Sequence, residues 1–185
     1  MKKVLSLAAV VVLACASAAL AADIGGVAVP DTVTLDGKVL KLNGAGVRKK
    51  MMFKVYVAAL YVETPSKDAA ALISSSQVKS MRLHMTRNVE GAKVSGAIAD
   101  GFALNSKAAL PKLQSRLDQF AKMIPDMKDG EEIDMTWVPD KGTEVAVRGT
   151  NAGTIEGRDF ADALFSVWLG PSPVQDDLKA ALSGN

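Results

Sequence analysis

The chain has 185 residues, with 22 Lys and Arg against 20 Asp and Glu. Lys2 and Lys3 lie in an N-terminal segment that we predict to be removed, which leaves 20 charges of each sign. This balance argues against a nucleic-acid-binding protein, which normally has a clear basic excess, and it predicts no strong attraction to anionic lipid.

The first 22 residues have the pattern of a secretory signal peptide. Two lysines near the start precede an apolar run from Val4 to about Ala14, and small residues lead to Ala21 and Ala22. The run is too short for a membrane span, which needs about 20 apolar residues. We therefore expect cleavage after Ala21 or Ala22, a periplasmic location, one domain over residues 23–185 and no transmembrane span after processing.

Cys15 is the only cysteine, and it allows a second interpretation of this segment. The sequence Val-Leu-Ala-Cys over residues 12–15 is similar to a bacterial lipoprotein box, in which the cysteine is lipidated and tethers the protein to a membrane. Leu13 is uncommon at its place in such a box, so we favour the signal peptide. After its removal the chain would have no disulfide, no thiol nucleophile and no cysteine-ligated metal.

The first part of the remaining chain is rich in predicted strands. Residues 27–35 are followed by Asp36-Gly37 and a second apolar run, a pattern typical of a β-hairpin. Residues 43–46, Asn-Gly-Ala-Gly, predict a flexible turn. Residues 51–63 are the most strand-like stretch, and both alternating faces are largely apolar. We expect a central strand that is covered on both sides.

Helices and further strands alternate less regularly in the rest of the chain. Ser66 is expected to cap a helix over residues 67–75, and a half-buried strand follows over residues 78–87. We predict helices over residues 90–105, 107–124, 159–169 and 174–182, a hairpin over 133–148 and a loop over 151–157. Strands that come first and return late predict an α+β fold, with an antiparallel sheet covered by helices on one face.

Few residues are candidates for chemistry. His84 is the only histidine, so a His-rich metal site is excluded, and there is no phosphate-binding loop or G-x-S-x-G motif. Arg48 and Tyr56 stand out because in one unbroken strand they share a face. That strand would separate them by about 26 Å at ~3.3 Å per residue. They can meet at a ligand only if the chain reverses between them, with Lys49-Lys50 as the candidate position.

Three segments resemble the chalcone isomerase superfamily, in its bacterial exported branch. They are residues 42–48 (Leu-Asn-Gly-Ala-Gly-Val-Arg), residues 53–62 (Phe-Lys-Val-Tyr-Val-Ala-Ala-Leu-Tyr-Val) and residues 164–171 (Leu-Phe-Ser-Val-Trp-Leu-Gly-Pro). The resemblance covers about Gly26 to Leu182. It implies an open-faced β-sandwich, in which a large antiparallel sheet carries a helical layer and a ligand cleft lies between them. The superfamily includes isomerases that close a flavanone ring and non-catalytic members that bind fatty acids.

The resemblance extends to individual site residues. Arg48 matches the catalytic arginine of the enzymes, whereas Tyr56 replaces a threonine and is what the fatty-acid binders show. Glu90 and Ala97 fall where the enzymes have tyrosine and asparagine, and a polar position of the late cleft helix falls at Ser166 or Val167. An enolate needs oriented donors. A carboxylate pointing inward would repel it and a methyl group cannot donate, so the resemblance implies no catalytic residues.

Three functions remain open on these grounds. The favoured one is a non-catalytic periplasmic binder of a small amphipathic acid such as a fatty acid, without a cofactor or metal. Its predicted ligand-binding residues are Arg48, Tyr56, Tyr61 and Ser166. The alternatives are a periplasmic interaction or assembly protein without a ligand, and a chalcone–flavanone-type isomerase. A cleft beside Arg48 that is large enough for a carbon chain would discriminate between the first two.

Overall fold

The computed structural model describes residues 21–185. Most of the predicted signal peptide, with Cys15, lies outside the described residues. The description begins with a two-stranded antiparallel sheet of β1 (Ala21–Ile24) and β2 (Val27–Pro30). Ala21 and Ala22, the last residues of the predicted signal peptide, pair here with Pro30 and Val29.

Seven further strands form one antiparallel sheet in which the spatial order equals the chain order. They are β3 (Thr32–Leu35), β4 (Lys38–Lys50), β5 (Phe53–Val62), β6 (Lys79–Met85), β7 (Glu132–Val138), β8 (Gly142–Val147) and β9 (Thr150–Ile155). The predicted hairpin turn at Asp36-Gly37 joins β3 to β4. Both of its residues have positive φ, which Asp and Gly tolerate better than most residues.

Five helices complete the described chain: α1 (Ala69–Ser74), α2 (Gly91–Asn105), α3 (Leu110–Met123), α4 (Arg158–Leu169) and α5 (Asp176–Leu182). Their buried side chains form one large core with one face of the sheet, and Phe102, Phe160 and Trp168 are among its largest members. This arrangement is the α+β fold, an antiparallel sheet with a helical layer, that the sequence predicts. Within the described residues, no helix has the length and apolar character needed to cross a membrane.

Strand β5 is buried on both faces, as its two apolar faces predict. Tyr56, Ala58 and Leu60 face the helices and belong to the large core. Val57, Ala59 and Tyr61 face the other way, into a smaller core that includes Val29 of β2. The alternation of side chains along a strand thus places Tyr56 and Tyr61, five residues apart, on opposite faces of the sheet.

The turn predicted over residues 43–46 is wrong, because these residues are part of β4. A Cβ atom on Gly44 would lie 2.0 Å from the carbonyl oxygen of Ala181, and one on Gly46 would lie 2.9 Å from the Ala181 Cβ. Both glycines therefore allow α5 to approach the strand closely. Glycine is required at these two positions because there is no room for a side chain, and not because the backbone adopts an unusual angle.

Two smaller predictions also differ from the structure. Residues 150–155, assigned mostly to a loop, form the edge strand β9. The strand contains a register shift opposite Val145 and Ala146, and such irregularity hides a strand pattern in the sequence. Helix α1 is capped by Asp68, whose Oδ1 accepts hydrogen bonds from the backbone nitrogens of Ala70 and Ala71, and not by Ser66.

Candidate ligand-binding cavity

A cavity of about 630 Å³ lies between the helix-covered face of the sheet and helices α2 and α4. Its volume is in the range of typical small-molecule sites, roughly 300–1,000 Å³. Most of the lining is apolar, with Val55, Tyr56 and Leu83 from the sheet, Val94, Ala97 and Ile98 from α2, and Val167 and Trp168 from α4. This composition suits a ligand with a hydrocarbon portion.

A hairpin brings Arg48 and Tyr56 together at this cavity. Strand β4 ends at Lys50 and β5 begins at Phe53, so the chain reverses at Met51 and Met52. Arg48 and Tyr56 are directly paired across the two strands, where Cα atoms are about 4.5–5.5 Å apart. The chain therefore reverses between Arg48 and Tyr56, as their meeting requires, at Met51-Met52 and not at the expected Lys49-Lys50. A register shift follows Arg48, and bulges of this kind re-aim side chains.

The guanidinium of Arg48 is held by neutral groups. Its Nη1 donates to the carbonyl oxygen of Lys49 and, at 3.1 Å, to Oε1 of Gln175. The same Gln175 oxygen accepts from the Lys49 backbone nitrogen at 2.8 Å, and Gln175 Nε2 donates to the Val47 carbonyl at 3.0 Å. Gln175 immediately precedes α5, so its amide joins that helix to β4.

Arg48 has no carboxylate partner among the residues that the structure describes. A half-buried guanidinium that lines an apolar cavity without a counter-ion can bind an anion, because hydrogen bonds between charged groups are among the strongest in proteins.

The hydroxyl of Tyr56 is oriented by Trp168. The indole Nε1 of Trp168 donates to the Tyr56 oxygen at 3.0 Å. Burial raises the pKa of Tyr56 above its ordinary value, and the hydrogen bond from Trp168 and the nearby charge of Arg48 offset this only in part. The phenol is therefore neutral at physiological pH. Since its oxygen accepts from Trp168, its own hydrogen can be donated to an acceptor in the cavity.

The structure does not bring the other two predicted ligand-binding residues to the cavity. Tyr61 lies on the opposite face of the sheet, where its hydroxyl donates to the Pro30 carbonyl at 3.0 Å and burial raises its pKa to about 12. Ser166 donates to the carbonyl oxygen of Asp162 within α4, at 2.7 Å, and does not line the cavity. The next two residues of α4, Val167 and Trp168, line it instead.

Exposed residues form the mouth of the cavity, and most of the charged ones are cationic. Lys50, Arg87, Lys93 and Lys128 stand against Glu90 and Asp126. Glu90 pairs with Lys93 at 2.7 Å, and Oδ1 of Asp126 accepts from the Gly91 backbone nitrogen at 2.9 Å. The mouth therefore has an excess of positive charge and is compatible with entry of an anion.

A sequence model of the family described as chalcone isomerase-like matches residues 21–184. The chain belongs to the chalcone isomerase-like family. No curated protein sequence matches it. The crystal structure of a fatty-acid binding protein from Arabidopsis thaliana is similar to it with a TM-score of 0.70, covering 86% of this chain and 93% of that chain at 15% identity. At this identity the similarity concerns the fold, and it confirms the predicted chalcone isomerase-like architecture.

Two positions that the family resemblance singles out as altered both line the cavity of this chalcone isomerase-like chain. Ala97 presents a methyl group from α2. The carboxylate of Glu90 is largely exposed and pairs with Lys93, so it lies at the mouth. A methyl group and a carboxylate paired with a lysine do not donate hydrogen bonds, and donors are what a developing enolate requires.

Sequence reasoning missed Trp168 and Gln175, the two residues that orient Tyr56 and Arg48. Trp168 lies in the helix predicted over residues 159–169, and the sequence of that helix does not indicate a partner for its indole nitrogen. The indole N–H of a buried tryptophan usually has a hydrogen-bond acceptor. The available signal was therefore the predicted burial of Trp168, which implies an acceptor among the other buried residues. Gln175 carries no comparable signal in the sequence.

Proposed function

We propose that this protein is a non-catalytic binder of a small amphipathic acid, such as a fatty acid. One observation carries the proposal: Arg48 and Tyr56 are paired across a hairpin beside a mostly apolar cavity of about 630 Å³, and no carboxylate of the described residues neutralises the arginine. Arg48 offers a positive charge and Tyr56 a neutral hydrogen-bond donor to the carboxylate of such a ligand. The apolar lining of the cavity contacts the hydrocarbon tail of the ligand.

The headgroup contacts follow from donor geometry. Arg48 uses Nη1 for its hydrogen bonds to Lys49 and Gln175, which leaves Nη2 and Nε for a ligand. The Tyr56 hydroxyl supplies a further hydrogen bond. A charge-assisted hydrogen bond contributes about 1.5–3 kcal/mol, so these contacts orient the acid and distinguish it from a neutral lipid.

The tail supplies most of the binding free energy. Burying about 10 methylene groups contributes roughly 8 kcal/mol at ~0.8 kcal/mol each. The loss of translational freedom and the ordering of the chain remove a large part of this, so we expect an affinity of about micromolar. The similar plant structure is that of a fatty-acid binding protein, which supports the same ligand class.

The alternatives fit the cavity less well. The absence of donors from Glu90 and Ala97 argues against ring closure by an isomerase mechanism. An interaction protein with a collapsed cleft would not need an open, apolar space beside an arginine. We place the function in the periplasm, because residues 1–22 have the pattern of a cleaved signal peptide.

Native mass spectrometry of the processed protein, purified from its own cell envelope, tests the binding proposal. We expect a stoichiometric amphiphile on the wild-type protein and its loss in Arg48→Ala. Arg116→Ala is the matched control, because Arg116 pairs with the exposed Asp159 and does not line the cavity. An empty wild-type protein, or equal loading of all three proteins, would contradict the proposal.

A flavanone-formation assay tests the isomerase alternative. We expect the protein to convert a chalcone at the uncatalysed rate. A rate at least tenfold higher that is lost in Arg48→Ala would instead support an enzyme.

A further inference from the structure

The hairpin between β4 and β5 exposes three consecutive apolar side chains. Met51 is 91% exposed, Met52 93% and Phe53 60%. Soluble proteins expose single apolar residues freely, but a run of three or more is uncommon unless it has a function. These residues form a small apolar patch at the end of a protruding hairpin, which we name the hairpin tip (residues 51–53).

Folding does not explain the residue types at the tip. Met51 has a φ of +57°, a left-handed backbone angle that is unfavourable for most residues other than Gly, Asn and Asp. The hairpin between β3 and β4 in the same chain uses the favourable pair Asp36-Gly37 for such a turn. Met51 therefore loses conformational free energy at the second turn, and Met51 and Met52 both bury almost none of their own surface.

Cations surround the hairpin tip. Arg48, Lys49, Lys50 and Lys54 flank it, and residues 37–62 contain no Asp or Glu at all. The Arg87 guanidinium carbon lies 5.0 Å from the centre of the Phe53 ring. The chain after residue 20 has equal numbers of positive and negative charges, but every charged residue of this hairpin between residues 37 and 62 is cationic. The near-zero net charge by itself predicts no strong attraction to anionic lipid. Net charge does not reveal a local cluster of cations such as this one.

We propose that the hairpin tip docks on an anionic lipid membrane, with Met51, Met52 and Phe53 in the acyl boundary and the flanking cations among the headgroups. Flexible, unbranched methionine side chains adapt to such an environment. Apolar insertion and attraction of lysines to anionic lipid add together in interfacial binding.

A membrane is a better match to this surface than a protein partner. A stable protein interface buries about 800 Å² on each side, and the apolar part of a two-residue turn with one flanking phenylalanine is much smaller. Interfacial lipid binding needs no shape complementarity. The result is weak and reversible attachment.

Docking would also place the cavity at the membrane surface. Lys50, Met51 and Phe53 belong both to the hairpin and to the lining of the cavity. A tip inserted among headgroups therefore brings the mouth to the layer in which amphipathic acids dissolve. This consequence for ligand transfer rests on the proposed function, whereas the docking itself does not.

Vesicle flotation of the processed protein tests the docking at low ionic strength. Pure phosphatidylcholine vesicles are compared with vesicles containing about 30% phosphatidylglycerol as the anionic lipid. Met52→Ser and Lys49→Ser are the test variants, because neither residue lines the cavity. Leu104→Ser and Lys41→Ser are the controls, since they remove an exposed apolar side chain from α2 and an exposed lysine from β4.

We expect the wild-type protein to float with the anionic vesicles and not with the neutral ones. Lys49→Ser should bind about fivefold more weakly, the change expected for one cation near an anionic surface. Met52→Ser should bind at least about fivefold more weakly, because an apolar side chain no longer inserts into the acyl boundary. Each control should bind within about twofold of the wild type. Salt should release the protein, because the attraction is screened.

Three results would overturn the proposal. The first is that the wild-type protein does not float with any vesicles. The second is equal flotation with neutral and anionic vesicles, which indicates a lipid tether. The third is an equal loss of vesicle binding in the test and control variants, which indicates that another surface binds. In the first case the apolar tip is assigned to a protein partner. Native mass spectrometry of Met52→Ser separates the two proposals. If this variant carries its ligand but no longer docks on vesicles, both proposals are supported. If the wild-type protein docks on vesicles but carries no ligand, only the ligand-binding proposal is contradicted.

Discussion

Tyr56 and Tyr61 show how one strand gives the same side chain two different roles. Tyr56 faces the cavity and accepts a hydrogen bond from Trp168. Tyr61 faces the smaller core and donates to the Pro30 carbonyl, which ties β2 to the sheet. The two positions are five residues apart, and this odd offset produces the difference, which was readable from the sequence once residues 51–63 were predicted to form one strand.

The two tyrosines provide a matched pair of substitutions. Tyr56→Phe should weaken binding of a fatty acid about fivefold to tenfold, because one hydrogen bond contributes about 1 kcal/mol, and should destabilise the fold because Trp168 Nε1 loses its acceptor. Tyr61→Phe should leave binding unchanged and lower the unfolding free energy by about 1 kcal/mol. Calorimetric titration and urea unfolding measure the two effects. Equal loss of affinity in both variants would contradict the assignment of Tyr56.

Lys79 is a residue whose environment no local pattern indicates. It is 1% exposed, and its Nζ donates to carbonyl oxygens of Leu72 and Ser75 at 3.0 and 3.2 Å, and to that of Ile73. Burial lowers its pKa to about 8. The ammonium thus satisfies carbonyls at the end of α1, a structural role that depends on where the helix lies in the fold.

At the scale of elements, the position of α5 on β4 links packing to the site. Gly44 and Gly46 provide the close approach, and Gln175 at the start of the helix holds Arg48 and the strand at the bulge. The glycine-rich sequence was interpreted as a turn because glycine is common in turns. The same residue is equally suited to a close contact with a helix, and only the position of α5 distinguishes the two.

Gly44→Ala should disturb this contact. Its new Cβ would meet the backbone oxygen of Ala181, which cannot rotate away, so we expect a loss of about 1–3 kcal/mol in unfolding free energy. The displaced helix should also reduce ligand loading, because Gln175 moves with it. Gly96→Ala in α2 is the control, since its Cβ meets nothing within 4 Å and should stabilise the helix by about 0.5–1 kcal/mol.

Urea unfolding and native mass spectrometry measure both effects. A Gly44→Ala protein as stable and as fully loaded as the wild type would show that α5 does not position the site.

At the scale of the whole molecule, burial of apolar side chains stabilises the described residues without help from disulfides. The described residues contain no cysteine, and two cores lie on the two faces of one sheet. The β1–β2 hairpin contributes Ile24, Val27 and Val29 to the smaller core. Cleavage after Ala22 would remove two paired residues of β1 and leave Asp23 and Ile24 paired with Ala28 and Val27.

The state of the N-terminus is a prediction at this scale. If the predicted signal peptide is cleaved, the intact mass of the protein should correspond to a chain that begins at Ala22 or Asp23. A reducing agent should then not change its thermal midpoint, because no thiol remains. A mass that shows a lipidated Cys15 would contradict the cleaved signal peptide and identify a membrane tether.

The sequence by itself determined most strands and helices and the faces that they bury. Alternation in residues 53–62 and the helical spacing of apolar residues in 110–123 are local patterns, and they are visible because each element buries one face or both against a core. The resemblance to a family added the open-faced sandwich with its cleft, and the predicted ligand-binding roles of Arg48 and Tyr56. It did not indicate which polar partners hold them.

The tertiary structure alone decided the composition of the site. The hydrogen bond between Trp168 and Tyr56 joins residues 112 positions apart, and the bond from Arg48 to Gln175 joins residues 127 apart. Periodicity reports which face of an element is buried, but it contains no information on which distant side chain lies opposite. Those partners exist only once α4 and α5 are packed on the sheet. The cavity likewise forms only when α2 and α4 are packed on the sheet.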